Sequence, residues 1–237
     1  MSHSIVQVTA ADGGQFNAYL STPDALPPQG AGVVVVLQEI FGVNANVRGI
    51  ADDFAAQGYY AIAPDIFWRQ EPGVDLDPAS PEAREAATAL LKGLDVERAV
   101  DDAAATLAFA RGLPGASQAA AAVGYCLGGK LAYLLAARGD LDAAVSYYGV
   151  GIQGELDRIP QLKGKVLLHI AGEDHLCPVD AQIRIEAAMA ALGERGRVIN
   201  HPGVGHAFAR RGGAGFDAKA AGTADRATAI LLAEALS

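Results

Sequence analysis

The sequence predicts an α/β fold, with a mostly parallel central sheet and helices on both faces. Two observations carry this expectation. Val33-Val34-Val35-Val36-Leu37 is an unbroken, β-branched run of the kind found in strands buried on both faces. From residue 119 onward, short apolar runs alternate with helical stretches, and such alternation builds βαβ units on a parallel sheet.

Residues 4–9 and 15–20 read as short strands around Asp12-Gly13-Gly14, a turn whose residues tolerate positive φ. After the valine run a helix near 46–57 stops at Gly58, and residues 59–63 return as a strand closed by Pro64. Residues 64–80 hold several Pro and Gly and form a long loop. Ser80-Pro81-Glu82 starts a helix, with Ser80 as N-cap and Pro81 in the first turn. A further helix over 95–111 ends before Gly112 and Pro114. Then follow strand 119–124, helix 127–138, strands 142–148 and 165–170, helix 179–192, strand 196–200 and helix 222–235. No linker and no internal repeat divides the chain, so residues 1–237 are expected to form one domain.

Composition excludes several functions. The 18 Lys+Arg against 27 Asp+Glu leave a net charge of −9, which repels phosphate and argues against nucleic acid as a partner. Two cysteines cannot make a disulfide scaffold and suit a reducing cytoplasm. The start, Met1-Ser-His-Ser-Ile, lacks the basic and apolar regions of a leader, and the run 31–37 is too short for a bilayer. A cytoplasmic protein with no membrane partner is therefore expected. Nothing in the chain demands a partner subunit, so a monomer is expected as well.

In open α/β sheets the chemistry sits on loops at the carboxyl ends of strands. Gln38-Glu39, Asp65, Cys126, Gly172-Glu173-Asp174 and His206 occupy such places. Gly124-Tyr125-Cys126-Leu127-Gly128-Gly129 matches the strand–turn–helix nucleophile elbow G-x-S-x-G with cysteine for serine. The helix start beneath Cys126 would lower the thiol pKa and offer free N–H groups to an oxyanion. Alone, the motif also fits a small buried cysteine in a Gly-rich turn. Asp174 follows 48 residues later and His206 a further 32, in the order nucleophile, acid, base. Asp174 could then hold the imidazole tautomer while His206 activates the thiol or a water.

The other histidines compete poorly. His3 reads as surface, His169 as a packed core residue, and His201, before Pro202, as solvated. His175 adjoins Asp174 and could line the site. None of them pairs with Cys126 or Cys177 at zinc-ligand spacing, so neither a metal nor a cofactor is expected, and Cys177 reads as structural.

With nucleophile, acid and base assigned, the chain resembles the dienelactone hydrolase (carboxymethylenebutenolidase) family over nearly its whole length. The resemblance rests on 38–44 (Gln-Glu-Ile-Phe-Gly-Val-Asn), Pro64-Asp65, the cysteine elbow, Tyr147-Tyr148-Gly149-Val150-Gly151, Gly172-Glu173-Asp174-His175 and 205–210 (Gly-His-Ala-Phe-Ala-Arg). It implies an α/β-hydrolase fold, a Cys126–Asp174–His206 triad and a glutamate, Glu39, that takes the thiol proton when substrate binds. It implies an oxyanion hole from the N–H groups of Leu127 and Ile40. It also implies a small lactone substrate bearing a carboxylate, bound by Arg84 and Arg210 through paired guanidinium donors. Arg69 remains a rim residue. The chain departs from the family at Thr88 and Leu91, where aromatic substrate contacts are typical, and at Ala207, where serine usually follows the histidine. Hydrolysis of dienelactone to maleylacetate in aromatic or chloroaromatic breakdown leads. A broader esterase or lactonase for small anionic esters, and a silent ligand-binding or thiol-sensing protein on the same fold, are the alternatives.

Overall fold

The computed structural model describes residues 1–237, which group into two compact units, Met1–Ala120 and Ala121–Ser237. In the first unit, β1 (Ser2–Thr9) and β2 (Gln15–Thr22) form an antiparallel hairpin closed by Asp12-Gly13-Gly14, with Gly13 at φ 85°. β2 lies antiparallel to β4 (Tyr60–Pro64), and β4 parallel to β3 (Ala31–Leu37). All seven β3 residues are buried, as the valine run requires of a strand covered on both faces. Helices α1 (Ala45–Ala56), α2 (Pro81–Lys92) and α3 (Val96–Arg111) each start on a side-chain cap. Asn44, Ser80 and Asp95 accept from the N–H groups of Val47, Ala83 and Arg98.

β5 (Ala116–Tyr125) begins in the first unit and ends in the second. There it runs parallel to β6 (Ala143–Tyr147), which is parallel to β7 (Lys165–Ala171), itself parallel to β8 (Gly196–His201). Helices α4 (Leu127–Ala137), α5 (Val179–Met189) and α6 (Ala218–Ala235) complete the unit. Of these strand pairings only β1–β2 and β2–β4 are antiparallel, so the mostly parallel sheet read from the sequence is present. No helix is long and apolar enough to cross a membrane.

The departures from expectation have local causes. The helix expected over 179–192 ends at Met189, and Ala190–Arg195 continues as a 3₁₀ turn broken by Gly193 at φ 57°. α6 starts at Ala218 rather than 222, because Asp217 caps it by accepting from the N–H of Ala220 at 2.8 Å. The stretch left unassigned between β6 and β7 holds two 3₁₀ turns, Ile152–Gly154 and Leu156–Gln161.

Candidate active site

Cys126 stands between the end of β5 and the first residue of α4, at φ 54° and ψ −114°. An L-residue adopts such a backbone only when its surroundings impose it. Here the N–H of Cys126 donates to Tyr147 O at 3.0 Å, and its carbonyl accepts from Gly129, Lys130 and Val150. The glycines allow the turn. A Cβ on Gly124 would overlap the carbonyl of Gly128, and one on Gly129 would come within 2.8 Å of Gly149 Cα. Strand and helix can approach this closely only without those side chains. Leu127 opens α4, so its N–H has no carbonyl one turn back. Tyr148 (φ 40°) and Ala207 (φ 64°) are the other two non-glycine residues with positive φ, one after β6 and one beside His206.

The two loops after β7 and β8 are laced together. Gly172 N–H donates to His201 O at 2.8 Å and Glu173 N–H to Val204 O at 3.0 Å. Next in line, His206 Nδ1 lies 2.8 Å from Asp174 Oδ2. Asp174 is buried, and its other oxygen accepts from Leu176 N–H at 2.9 Å. A carboxylate accepts, so Nδ1 of His206 is the donor to Asp174, and in the neutral imidazole Nε2 is then the bare nitrogen. Nε2 is also buried without a hydrogen-bond partner. A buried basic nitrogen, oriented from behind by a carboxylate and left without a partner, is equipped to take a proton from an incoming group. The ring of Tyr148 packs against His206 at 5.1 Å, and the exposed His175 flanks it at 6.2 Å.

The remaining sequence-expected residues occupy varied surroundings. Glu39 follows β3 and is buried, where a carboxylate in that position would ordinarily be solvated. Its neighbour Gln38 ties this loop to the one after β4 by accepting from Ile66 N–H at 3.3 Å. Ile40 is half-buried in the same turn. Arg84 is exposed on α2 and donates to Pro78 O at 2.8 Å. Arg210 is half-buried one turn beyond His206. Thr88 directs its hydroxyl to Arg84 O at 2.8 Å. Arg69 is not a free rim residue. It lies over Trp68 at 4.2 Å and binds Asp12 and the buried Asp102.

Cys177 is buried, and desolvation, then Asp174 and Asp180, push its thiol up to about 11. A thiol raised this far stays protonated at neutral pH, and the thiolate is the nucleophile. His201 corrects the sequence reading: it is buried rather than solvated. The proline after it suggested a chain leaving for solvent, but the loop turns back over the strand end. Tyr148 entered the sequence reading only as the end of the strand expected over 142–148 and within the Tyr147–Gly151 motif; the strand ends at Tyr147, and Tyr148 packs on His206.

Comparison with known proteins gives the following likenesses. Residues 16–236 match the model of the dienelactone hydrolase family. A relative named carboxymethylenebutenolidase from Pseudomonas putida is 39% identical over 220 residues, 93% of this chain and 92% of its own. Carboxymethylenebutenolidase 1 of Cupriavidus pinatubonensis is 35% identical over 228 residues, 96% and 95% of the two chains. Among solved structures, a provisionally named dienelactone hydrolase from Klebsiella pneumoniae superposes with a TM-score of 0.84 at 24% identity, over 99% and 100% of the two chains. Dienelactone hydrolase from Anabaena variabilis superposes at 0.73 with 15% identity, over 100% and 99%. The two structural likenesses speak for the α/β-hydrolase fold.

Proposed function

The chain belongs to the dienelactone hydrolase family, and from that premise we propose that it opens dienelactone to maleylacetate through a Cys126 acyl-enzyme. The observation that carries the proposal is the His206–Asp174 pair, whose bare, buried Nε2 can serve a nucleophile on a strained strand–helix turn. In this reading the Cys126 thiol gives its proton to Glu39 as substrate binds, and the thiolate attacks the lactone carbonyl. The N–H groups of Leu127 and Ile40 stabilise the oxyanion. Collapse breaks the ring C–O bond, releasing an enolate that takes the proton held by Glu39 while the acyl group stays on sulfur. His206 then removes a proton from water, the hydroxide attacks the thioester, and the expelled Cys126 thiolate takes that proton back from His206. Arg84 and Arg210 hold the substrate carboxylate, so the net charge of −9 is overcome locally. No cofactor enters the scheme. Glu39 and Ile40 come into it through the 38–44 motif, and Arg84 through its family position on the helix after Pro81.

The substrate is a small anionic lactone, the protein works as a monomer in the cytoplasm, and residues 1–237 act as one hydrolase domain. Uninterrupted family matching over 16–236 supports the last point. A broader esterase or lactonase is the second reading, favoured by Thr88: its hydroxyl is occupied by Arg84 O and offers a substrate no aromatic surface.

Lactone hydrolysis by the wild type and by Cys126→Ala tests the mechanism. Loss of turnover in a folded variant is expected, and turnover near wild type would sink it. The ratio of kcat/KM for dienelactone to that for p-nitrophenyl acetate separates the two readings. Dominance of the lactone supports the first and parity the second.

A further inference from the structure

Behind the acid and base loops lies a chain of buried polar groups that the proposed mechanism does not use. His169, on β7, places Nδ1 3.1 Å from His201 Nε2 and Nε2 3.2 Å from Thr228 Oγ1. Thr228 Oγ1 lies 2.8 Å from the Tyr147 hydroxyl, which reaches Asp225 Oδ1 at 3.0 Å. His169, His201, Thr228 and Tyr147 are all buried.

Proton counting gives this chain a direction. The Asp225 carboxylate can only accept, so the Tyr147 hydroxyl donates to it. Tyr147 keeps that proton, because burial, then Tyr125 and Asp225, hold its phenol well above the ordinary value. With its one proton committed, Tyr147 must accept from Thr228, and Thr228, its proton used in turn, must accept from His169 Nε2–H. Neutral His169 then has a bare Nδ1, which accepts from His201 Nε2–H. Both buried imidazoles are thereby fixed in the Nε2–H tautomer.

His201 is the joint of the site. Its carbonyl receives the N–H of Gly172, where the loop to Asp174 begins, and its own chain continues into the loop to His206. One face of its ring meets Phe208 at 4.8 Å; Phe208 packs on Tyr148 at 5.4 Å, and Tyr148 on His206 at 5.1 Å. A ring free to turn would withdraw the aromatic support that runs through Phe208 and Tyr148 to the base.

We propose that His201 is a positioning residue, whose Nε2–H, donated to Nδ1 of His169, fixes the departure of the acid and base loops and so holds His206 on Asp174. The inference deepens the reading of Asp174 and His206 as acid and base, and its first readouts need no substrate. ¹⁵N spectra of the wild type are expected to show both His201 and His169 protonated on Nε2 and bare on Nδ1. His201→Gln keeps an N–H donor at the same reach, whereas His201→Met keeps the length and loses the donor. The downfield Nδ1–H resonance of His206 is expected to stay sharp in the glutamine variant and to broaden by solvent exchange in the methionine variant. With dienelactone, kcat of the methionine variant is expected to fall about ten- to a hundredfold, with KM within about twofold, and the glutamine variant to recover most of the loss. A bare Nε2 on wild-type His201, or a folded His201→Met protein with a sharp His206 signal, would overturn the inference. Should His201→Met not fold, the wild-type tautomers and the glutamine variant decide. If the wild type hydrolyses no lactone while the NMR contrasts hold, the positioning role stands and the substrate assignment falls.

Discussion

At the residue scale, the Asp174–His206 contact makes a prediction about proton placement rather than charge. Asparagine at 174 fills the same volume, but its amide can present an N–H to Nδ1 and turn the imidazole into the Nε2–H tautomer. The nitrogen that should receive a proton would then already carry one. Asp174→Asn is expected to fold normally and to lose about 10³–10⁴ in kcat on any ester the wild type accepts, with little change in KM. Kinetics on the best substrate found, alongside a thermal melt, check this. A loss under tenfold would show that His206 does not act through the tautomer that Asp174 fixes. Cys177 supplies the contrast. Its thiol, pushed to about 11 by burial and two carboxylates, should resist iodoacetamide at pH 7.5, and Cys177→Ala should leave the labelling stoichiometry unchanged. Mass spectrometry of the labelled peptides gives the answer, and label on Cys177 in the native protein would contradict the assigned environment.

At the element scale, the turn from β5 into α4 depends on missing side chains. A Cβ on Gly124 collides with the Gly128 carbonyl, which is backbone and cannot swing aside. Gly124→Ala must therefore push α4 away from the strand and displace Cys126 with it. The expected cost is about 1–3 kcal/mol of stability, with turnover lost out of proportion. Urea unfolding and steady-state kinetics on the same sample test it, and wild-type values in both would refute the close approach. This element was legible in the sequence because its signal is local: glycines at fixed offsets between an apolar run and a helix. The valine run of β3 and the Ser80-Pro81 start of α2 were legible for the same reason. Placement of the His201 ring was not. It depends on a residue 32 positions away on the neighbouring strand and on a threonine of the last helix, and no pattern around 201 records either. Asp217 was a readable cap, but the apolar rhythm of α6 becomes clear only farther along. The chain order of Cys126, Asp174 and His206 was readable, whereas the lacing of the two loops by backbone hydrogen bonds was not, since any residue can make such bonds.

At the scale of the whole molecule, the buried histidines tie stability to pH. Burial, then His201 and Arg197, hold the His169 imidazole down to about 3, and burial lowers His201 as well. Around His169 lie His201, Thr228 and the Tyr147 ring, 4.6 Å away, and none of them is a carboxylate that would favour imidazolium. In the unfolded chain both side chains titrate near 6.5. Above that value both states are neutral, and the pair contributes no pH dependence. Below it the unfolded chain takes up protons that the native state refuses, so stability falls as pH falls, and for His169 the fall continues to about 3. The slope is about 1.4 kcal/mol per pH unit for each such histidine. The net charge of −9 acts the other way, since acid relieves self-repulsion, but that term is spread over a surface screened by salt. Urea midpoints at 0.15 M salt are therefore expected to drop between pH 7 and pH 5. His169→Gln, which keeps an amide N–H for Thr228 and does not titrate, should flatten that slope even where it lowers stability at pH 7. An equal slope in the two proteins would mean that acid sensitivity resides elsewhere in the molecule.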